Sequence, residues 1–520
     1  MRRLARAIPW VAAFGAWQLL ATIIDQPTAV PTPSAIAGGF ARDLPLYAVN
    51  FGPTLSAAAA GYALGNLAAI FTAIAVATLR PIRREASLVV VALYNVPVIV
   101  VAPVLEVVLP GAWPLVALAA LSVYFTTLLA TLGALDTASE RLSLDVVRAA
   151  GGGALAALSK VRLWYALPDV AAALAIGVPL ATVGAMVGEF LGGQTRGLGV
   201  MLLQALNDID APRVWGIALA VGGLGYGAVA LSDALTHRIF PWGRGIGTAT
   251  LPAWPLDPGA SGRAIVVVVR ALRAAALAAL VLLGLWVAAI EVLRLPPYLA
   301  RTPGDVWRYL TAGPGAAVNR AALLSALVTS LARALLGCLI GIVLGIALAA
   351  AGSVSRAMRR ATTPLVVLVG SMPFVALVPI LTLALGRGPV IGVAVGALIS
   401  LLPTVRNVAG GLGLAPAALR DVVRTAGGGR WRALAAVELP AAVPAIFVSL
   451  RIAAPWALYG VLLSEWLATG GGLGSVLVQS SVAGNLDEAW SAAVVVSVAS
   501  LALYLLADAL AAWALRVARG

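Results

Sequence analysis

Apolar residues run through this chain in long blocks, and polar residues are confined to the gaps between them. Twelve blocks fall near residues 8–24, 54–78, 87–109, 113–134, 166–190, 214–236, 265–292, 325–350, 362–385, 389–412, 441–467 and 488–514. Each is close to the ~20 residues a helix needs to cross the hydrocarbon core of a bilayer. Inside lipid only helices and closed barrels satisfy their own backbone groups, and the alternating ten-residue segments of barrel strands are absent. The pattern therefore predicts an all-α integral membrane protein.

The blocks also repeat. Asp145–Gly153 reads DVVRAAGGG and Asp421–Gly429 reads DVVRTAGGG, 276 positions later. The same offset carries Gly61 onto Gly337, Gly65 onto Gly341, Pro97 onto Pro373, Pro103 onto Pro379, Pro168 onto Pro444 and Glu189 onto Glu465. No gap is needed between about Phe51 and Gly192. Residues 1–238 and 263–520 thus read as two six-span repeats, joined by a linker over 239–262 that is rich in Pro, Gly and Trp. An even number of spans per repeat gives both copies the same orientation, with a pseudo-two-fold axis along the membrane normal and a pathway expected at the seam.

Composition changes this picture only in its details. Apolar residues make up 61% of the chain and charged residues 11%, against about 25% charged in a soluble domain. The net charge of +14 suggests nucleic acid until its distribution is read. With the N-terminus in the cytoplasm, the inner gaps collect most of the arginines, among them Arg2, Arg3, Arg6, Arg80, Arg83, Arg84, Arg356, Arg359, Arg360, Arg420, Arg424, Arg430 and Arg432. The outer gaps hold only Arg42, Arg196, Arg213, Arg294, Arg301, Arg308, Arg320 and Arg387. This asymmetry predicts a multi-pass protein with both termini inside, with membrane lipid rather than nucleic acid as its surroundings. Cys338 is the single cysteine and His237 the single histidine, so no metal site, catalytic cluster or cofactor site is expected.

The most informative polar segment is the long inner loop after the fourth span of each repeat, Asp145–Pro168 and Asp421–Pro444. A short helix, a triple-glycine break and a basic second short helix lead back to a span. Such a protrusion, carried on a rigid pair of spans, suits docking to a cytoplasmic partner. The loop resembles the coupling motif of ABC importer permeases, written E-A-A-x-x-x-G with a later Leu-Pro. The matching positions are Asp145, Val146, Val147 and Gly151, then Asp421, Val422, Val423 and Gly427. Both copies have Asp for Glu and Val-Val for Ala-Ala. Leu439-Pro440 and Pro444 complete the later motif, while the first repeat has Trp164 where the first proline belongs. That departure implies weaker coupling through the first loop. Further similarity lies in LPPYLARTPGDVW at Leu295–Trp307, MPFVALVPIL at Met372–Leu381 and SEWLATGGGLG at Ser464–Gly474. These segments are most similar to the nitrate, sulfonate, taurine and bicarbonate permeases.

The resemblance implies a type I importer permease fold with about twelve spans. It implies alternating access driven by two copies of a cytoplasmic ATP-binding subunit, and an extracytoplasmic solute-binding protein in a bacterial plasma membrane. The chain's one lysine, Lys160, is flanked by Ser159 and Val161, which excludes a phosphate-cradling Gly-Lys-Ser/Thr loop. A small anion is the expected solute. A ferric ion, thiamine or its precursors, or an osmolyte are the alternatives within transport; a membrane enzyme or scaffold is the alternative outside it. Ionisable residues inside spans are pathway candidates. Glu189 and Glu465 occupy equivalent outer ends. Arg451 stands where the first repeat has Ala175, with Glu106 as a conceivable counter-charge.

Overall fold

A computed structural model describes residues 14–78, 89–90, 93–94, 97–135, 141–192, 194–240, 264–313 and 315–517. The linker from 241 to 262 and the start of the first predicted span lie outside those residues. The described chain is helical, without a strand. Eight helices are long and apolar enough to cross a membrane: Leu44–Thr78, Trp113–Ala134, Leu155–Leu191, Ala211–Thr236, Ala316–Val354, Pro389–Gly413, Arg430–Thr469 and Leu486–Ala514. Each covers one of the predicted spans. Two further predicted spans correspond to the helices Phe14–Ile24 and Ala264–Val292.

The third span of each repeat departs from expectation. In the second repeat the run near 362–385 is two helices, Arg356–Ser371 and Phe374–Leu385, broken at Met372-Pro373. In the first repeat the helix Val98–Val108 starts after Pro97. Pro97 and Pro373 adopt almost the same extended conformation, with φ −63° and ψ 131° against φ −59° and ψ 125°. Proline has no N–H to continue the ladder and pushes its predecessor out of the helical region, so Pro373 separates two helices, and both prolines cap the helix that follows.

Glycines set how closely spans approach. A Cβ on Gly65 would fall on the carbonyl of Ala120, and one on Gly341 on the carbonyl of Ala397. Small residues at this spacing let two helix backbones meet, which is how spans associate where no hydrophobic force separates them from lipid. Cys338 is buried in the same long helix, and Leu335, Leu336, Leu339 and Val343 on its other faces are exposed. An apolar exposed face of this extent belongs against lipid.

The helices form two compact units. One comprises the described residues up to Pro53, Gln194–Gly222 and those from Gly304 onward; its centre is the set Ala316–Val354, Pro389–Gly413, Leu439–Ser464 and Leu486–Val517. The other comprises Thr54–Gly193 and Gly223–Pro303, with Trp113–Ala134 packed on Leu163–Leu191.

Candidate functional sites

The two glycine-broken loops are built alike. The second has a helix Ala417–Thr425, a turn through Gly427, a short helix Arg430–Ala433 and a π-turn Leu434–Glu438. The first has Arg141–Ala149, a turn through Gly151, Ala154–Ala157 and a π-turn Leu158–Arg162. Gly151 and Gly427 both have φ +77°. The Gly152 and Gly428 amides each donate to the carbonyl five residues back, Val147 and Val423, at 2.8 Å. This is a Schellman-type close, which requires a left-handed residue at the turn. The π-turns coincide at the repeat offset although Pro440 follows only the second. Trp164 in place of that proline therefore leaves the local backbone path unchanged.

Each loop presents the same apolar positions outward. Val146 and Val422 are 69% and 62% exposed, and at the next equivalent position Leu155 and Trp431 are 74% and 67% exposed. Asp145 and Asp421 are exposed, and Val147 and Val423 are half-buried beneath the turns. Of the predicted residues, Asp145, Val146, Asp421 and Val422 are thus on the outside of each loop, and Val147 and Val423 pack beneath it.

Glu189 and Glu465 are buried and already bonded. Glu189 Oε1 accepts from Thr54 Oγ1 at 2.5 Å. Glu465 accepts from Ser330 Oγ at 2.7 and 3.0 Å, from the Gly474 amide at 3.0 Å and from Arg333 Nη1 at 3.0 Å. Arg333 Nη1 also reaches the Gly471 carbonyl at 2.8 Å. Thr54 and Ser330 are equivalent across the repeat, so both copies hold a carboxylate on a span hydroxyl. Arg333 falls where the first repeat has Ala57. Arg333 has no counterpart that comparison of the repeats could flag; the hydroxyls Thr54 and Ser330 at matched positions are the signal the sequence carries.

Arg451 has a partner other than Glu106. Its Nη1 donates to Asp508 Oδ1 at 3.0 Å, with the two side chains 9% and 19% exposed. After the glycine-rich segment the repeat offset shortens to 275, shown by the helices Leu198–Asn207 and Leu473–Val482. Asp508 therefore matches Asp233, and the first repeat keeps the acid without the arginine. Removing one member of a buried pair is costlier than removing both. Arg451→Ala is expected to lower purified yield and stability by about 3 kcal/mol, and the added Asp508→Asn to recover most of that. An alanine variant of normal stability and reduced uptake would instead show a charge used by the solute.

Within the first unit, Asp43 Oδ2 accepts from Arg213 Nε at 2.7 Å. This guanidinium holds the Asp43 carboxyl below its ordinary range.

The chain matches the family described as binding-protein-dependent transport system inner membrane component twice, over residues 65–242 and 341–519. The two matches begin one repeat offset apart. A probable ABC transporter permease of Haemophilus influenzae is 31% identical over 156 residues, 30% of this chain and 64% of that protein. The riboflavin transport system permease of Chloroflexus aurantiacus is 31% identical over 122 residues, 24% of this chain and 46% of that protein. The formylaminopyrimidine transport permease of Halalkalibacterium halodurans is 29% identical over 229 residues, 44% of this chain and 90% of that protein. The matched stretches thus span less than two thirds of the first two relatives. The two matches together cover more than half of the chain, and each range contains one glycine-broken loop: the chain is a multi-pass membrane protein that belongs to the binding-protein-dependent transport system inner membrane components, the permeases of ABC importers.

Proposed function

We propose that the chain is the fused permease of an ATP-driven importer, with repeats at 1–238 and 263–520 and both termini cytoplasmic. Two copies of an ATP-binding subunit dock on the loops around Asp145–Gly151 and Asp421–Gly427, one on each. An extracytoplasmic protein delivers a small solute, and closure of the ATP-binding pair rocks the repeats to release it inward. The observation that carries this reading is the twice-built loop, with the same glycine geometry and the same outward apolar positions. Exposed Val, Leu and Trp repeated at matched sites support a partner surface there. Glu189 and Glu465 serve as anchors that fix span ends rather than as solute ligands, since their oxygens already accept bonds from the protein.

A planar nitrogen heterocycle is the solute we favour, over the small anion expected from sequence. Arg451, the span charge offered to an anion, is committed to Asp508. Two relatives are named for a pyrimidine and a flavin. In the first unit, Phe374, Trp456 and Tyr459 form an edge-to-face trio with ring centroids 5.1–6.0 Å apart, directly after the helix break at Pro373. The first repeat has Val98, Leu180 and Val183 at those positions. Within the same unit, the first repeat's helix Leu198–Asn207 packs on Phe374–Leu385, and a side chain at Gly222 would press on Met372. The trio therefore lies where elements of the two repeats meet, and aromatic faces attract flat rings. Proteoliposomes holding the complete transporter should take up a labelled aminopyrimidine in preference to taurine, and Trp456→Ala should cut that uptake without loss of ATP-binding subunit. Preferential uptake of taurine or nitrate would restore the anion reading.

A further inference from the structure

The two coupling loops share a backbone but not their fastening. In the second, Glu438 ends the π-turn and faces two elements. Its Oε2 accepts from Ser353 Oγ at 2.8 Å, at the end of the long helix Ala316–Val354. Its Oε1 lies 3.8 Å from Arg420 Nη1 on the helix that carries Val422. Arg430, in the short helix between, donates from Nη1 to the Val354 carbonyl at 3.0 Å. At the matched positions the first repeat has Arg162 for Glu438, Ala77 for Ser353, Leu144 for Arg420 and Ala154 for Arg430. All four polar members are missing together, and the central one is reversed in charge. In the first loop, Leu144, Ala157 and Val161 are buried against Val147 and Tyr165. Ser143 Oγ and Tyr165 OH are 3.3 Å apart.

We infer that Glu438 is a positioning residue that ties the second coupling loop to the end of its long span, through a set of side chains that the first repeat does not carry. The inference rests on the coupling reading above. The Arg420 contact is long and partly exposed, so water and salt weaken it. The Ser353 bond and the Arg430 cap carry more of the tie. Glu438 therefore joins the second loop to the end of its long helix through Ser353, and Arg430 adds a second tie to the same helix end.

The test uses the full chain with its ATP-binding subunit in nanodiscs. Glu438→Ala is expected to weaken subunit retention about tenfold, and Glu438→Gln, which still accepts from Ser353, about threefold. Amide exchange over 417–425 should rise in Glu438→Ala, while exchange over 141–149 stays unchanged. The paired Arg420→Glu, Glu438→Arg variant should regain retention relative to either single change. Wild-type retention and exchange in Glu438→Ala, alongside lost retention in Val422→Asp, would overturn the tie and leave the coupling reading standing. Wild-type retention in Val422→Asp would remove the coupling reading, and the tie with it.

Discussion

Glu465→Ala is expected to be the most damaging single change in the molecule. It takes away an acceptor shared by Ser330, Arg333 and the Gly474 amide and leaves a largely buried guanidinium without its carboxylate. Losing one partner of a buried ion pair costs about 3–5 kcal/mol. The network also tethers the glycine-rich segment, through the Leu473 amide on Ser330 and the Gly471 carbonyl on Arg333. Glu189→Ala should cost less, because Ala57 replaces the arginine in that copy and no cation is left stranded. Glu465→Gln with Arg333→Ala removes the cation together with its carboxylate and should recover much of the loss. Thermal unfolding of the purified variants decides the matter. Equal loss at the two glutamates, or no gain in the double variant, would mean that the arginine is not what makes the second site vulnerable.

How far the sequence revealed this follows from the kind of interaction involved. The spans were visible because apolar blocks are the direct requirement of lipid, and the run at 113–134 coincides with its helix. The matched offset marks Gly65 and Gly341 in the sequence, and the structure gives the reason: a Cβ there would meet the carbonyls of Ala120 and Ala397. The break at Pro373 was missed: the run 362–385 is continuous in hydropathy, and proline inside a span is tolerated at Pro379, so its presence alone does not separate a kink from an end. Pairing was the least legible feature. Arg451 and Asp508 are 57 residues apart, and the one-residue slip after Gly192 hid the match of Asp508 with Asp233. Glu438 drew no notice because its position in the first repeat carries Arg162, so the repeat itself argued against a shared role. Features the copies hold in common could be read by comparing them; features that distinguish the copies needed three-dimensional neighbours.

Gly427→Val should abolish most uptake while leaving the spans intact. Gly427 has φ +77°, where a β-branched residue is a steric outlier. No neighbour lies within 4 Å of the Cβ position, so the penalty comes from the backbone and not from crowding. The chain would leave the left-handed turn, the Gly428 amide would lose the Val423 carbonyl, and the exposed Val422 and Trp431 would no longer share one surface. A penalty of about 1–2 kcal/mol amounts to roughly a tenfold loss of the docking-competent loop. Gly427→Asn serves as the control, since asparagine tolerates this conformation and should retain most activity. Gly151 has the same φ and open space around it, so Gly151→Val should meet the same backbone penalty despite Trp164. The measurements are ATP-binding subunit retention and solute uptake, with detergent-phase thermal stability as the check on the spans. Valine tolerated at Gly427 would show that the left-handed turn is incidental to docking. Loss at Gly427 with none at Gly151 would show that the fastening of each loop, rather than its turn, decides how much each contributes.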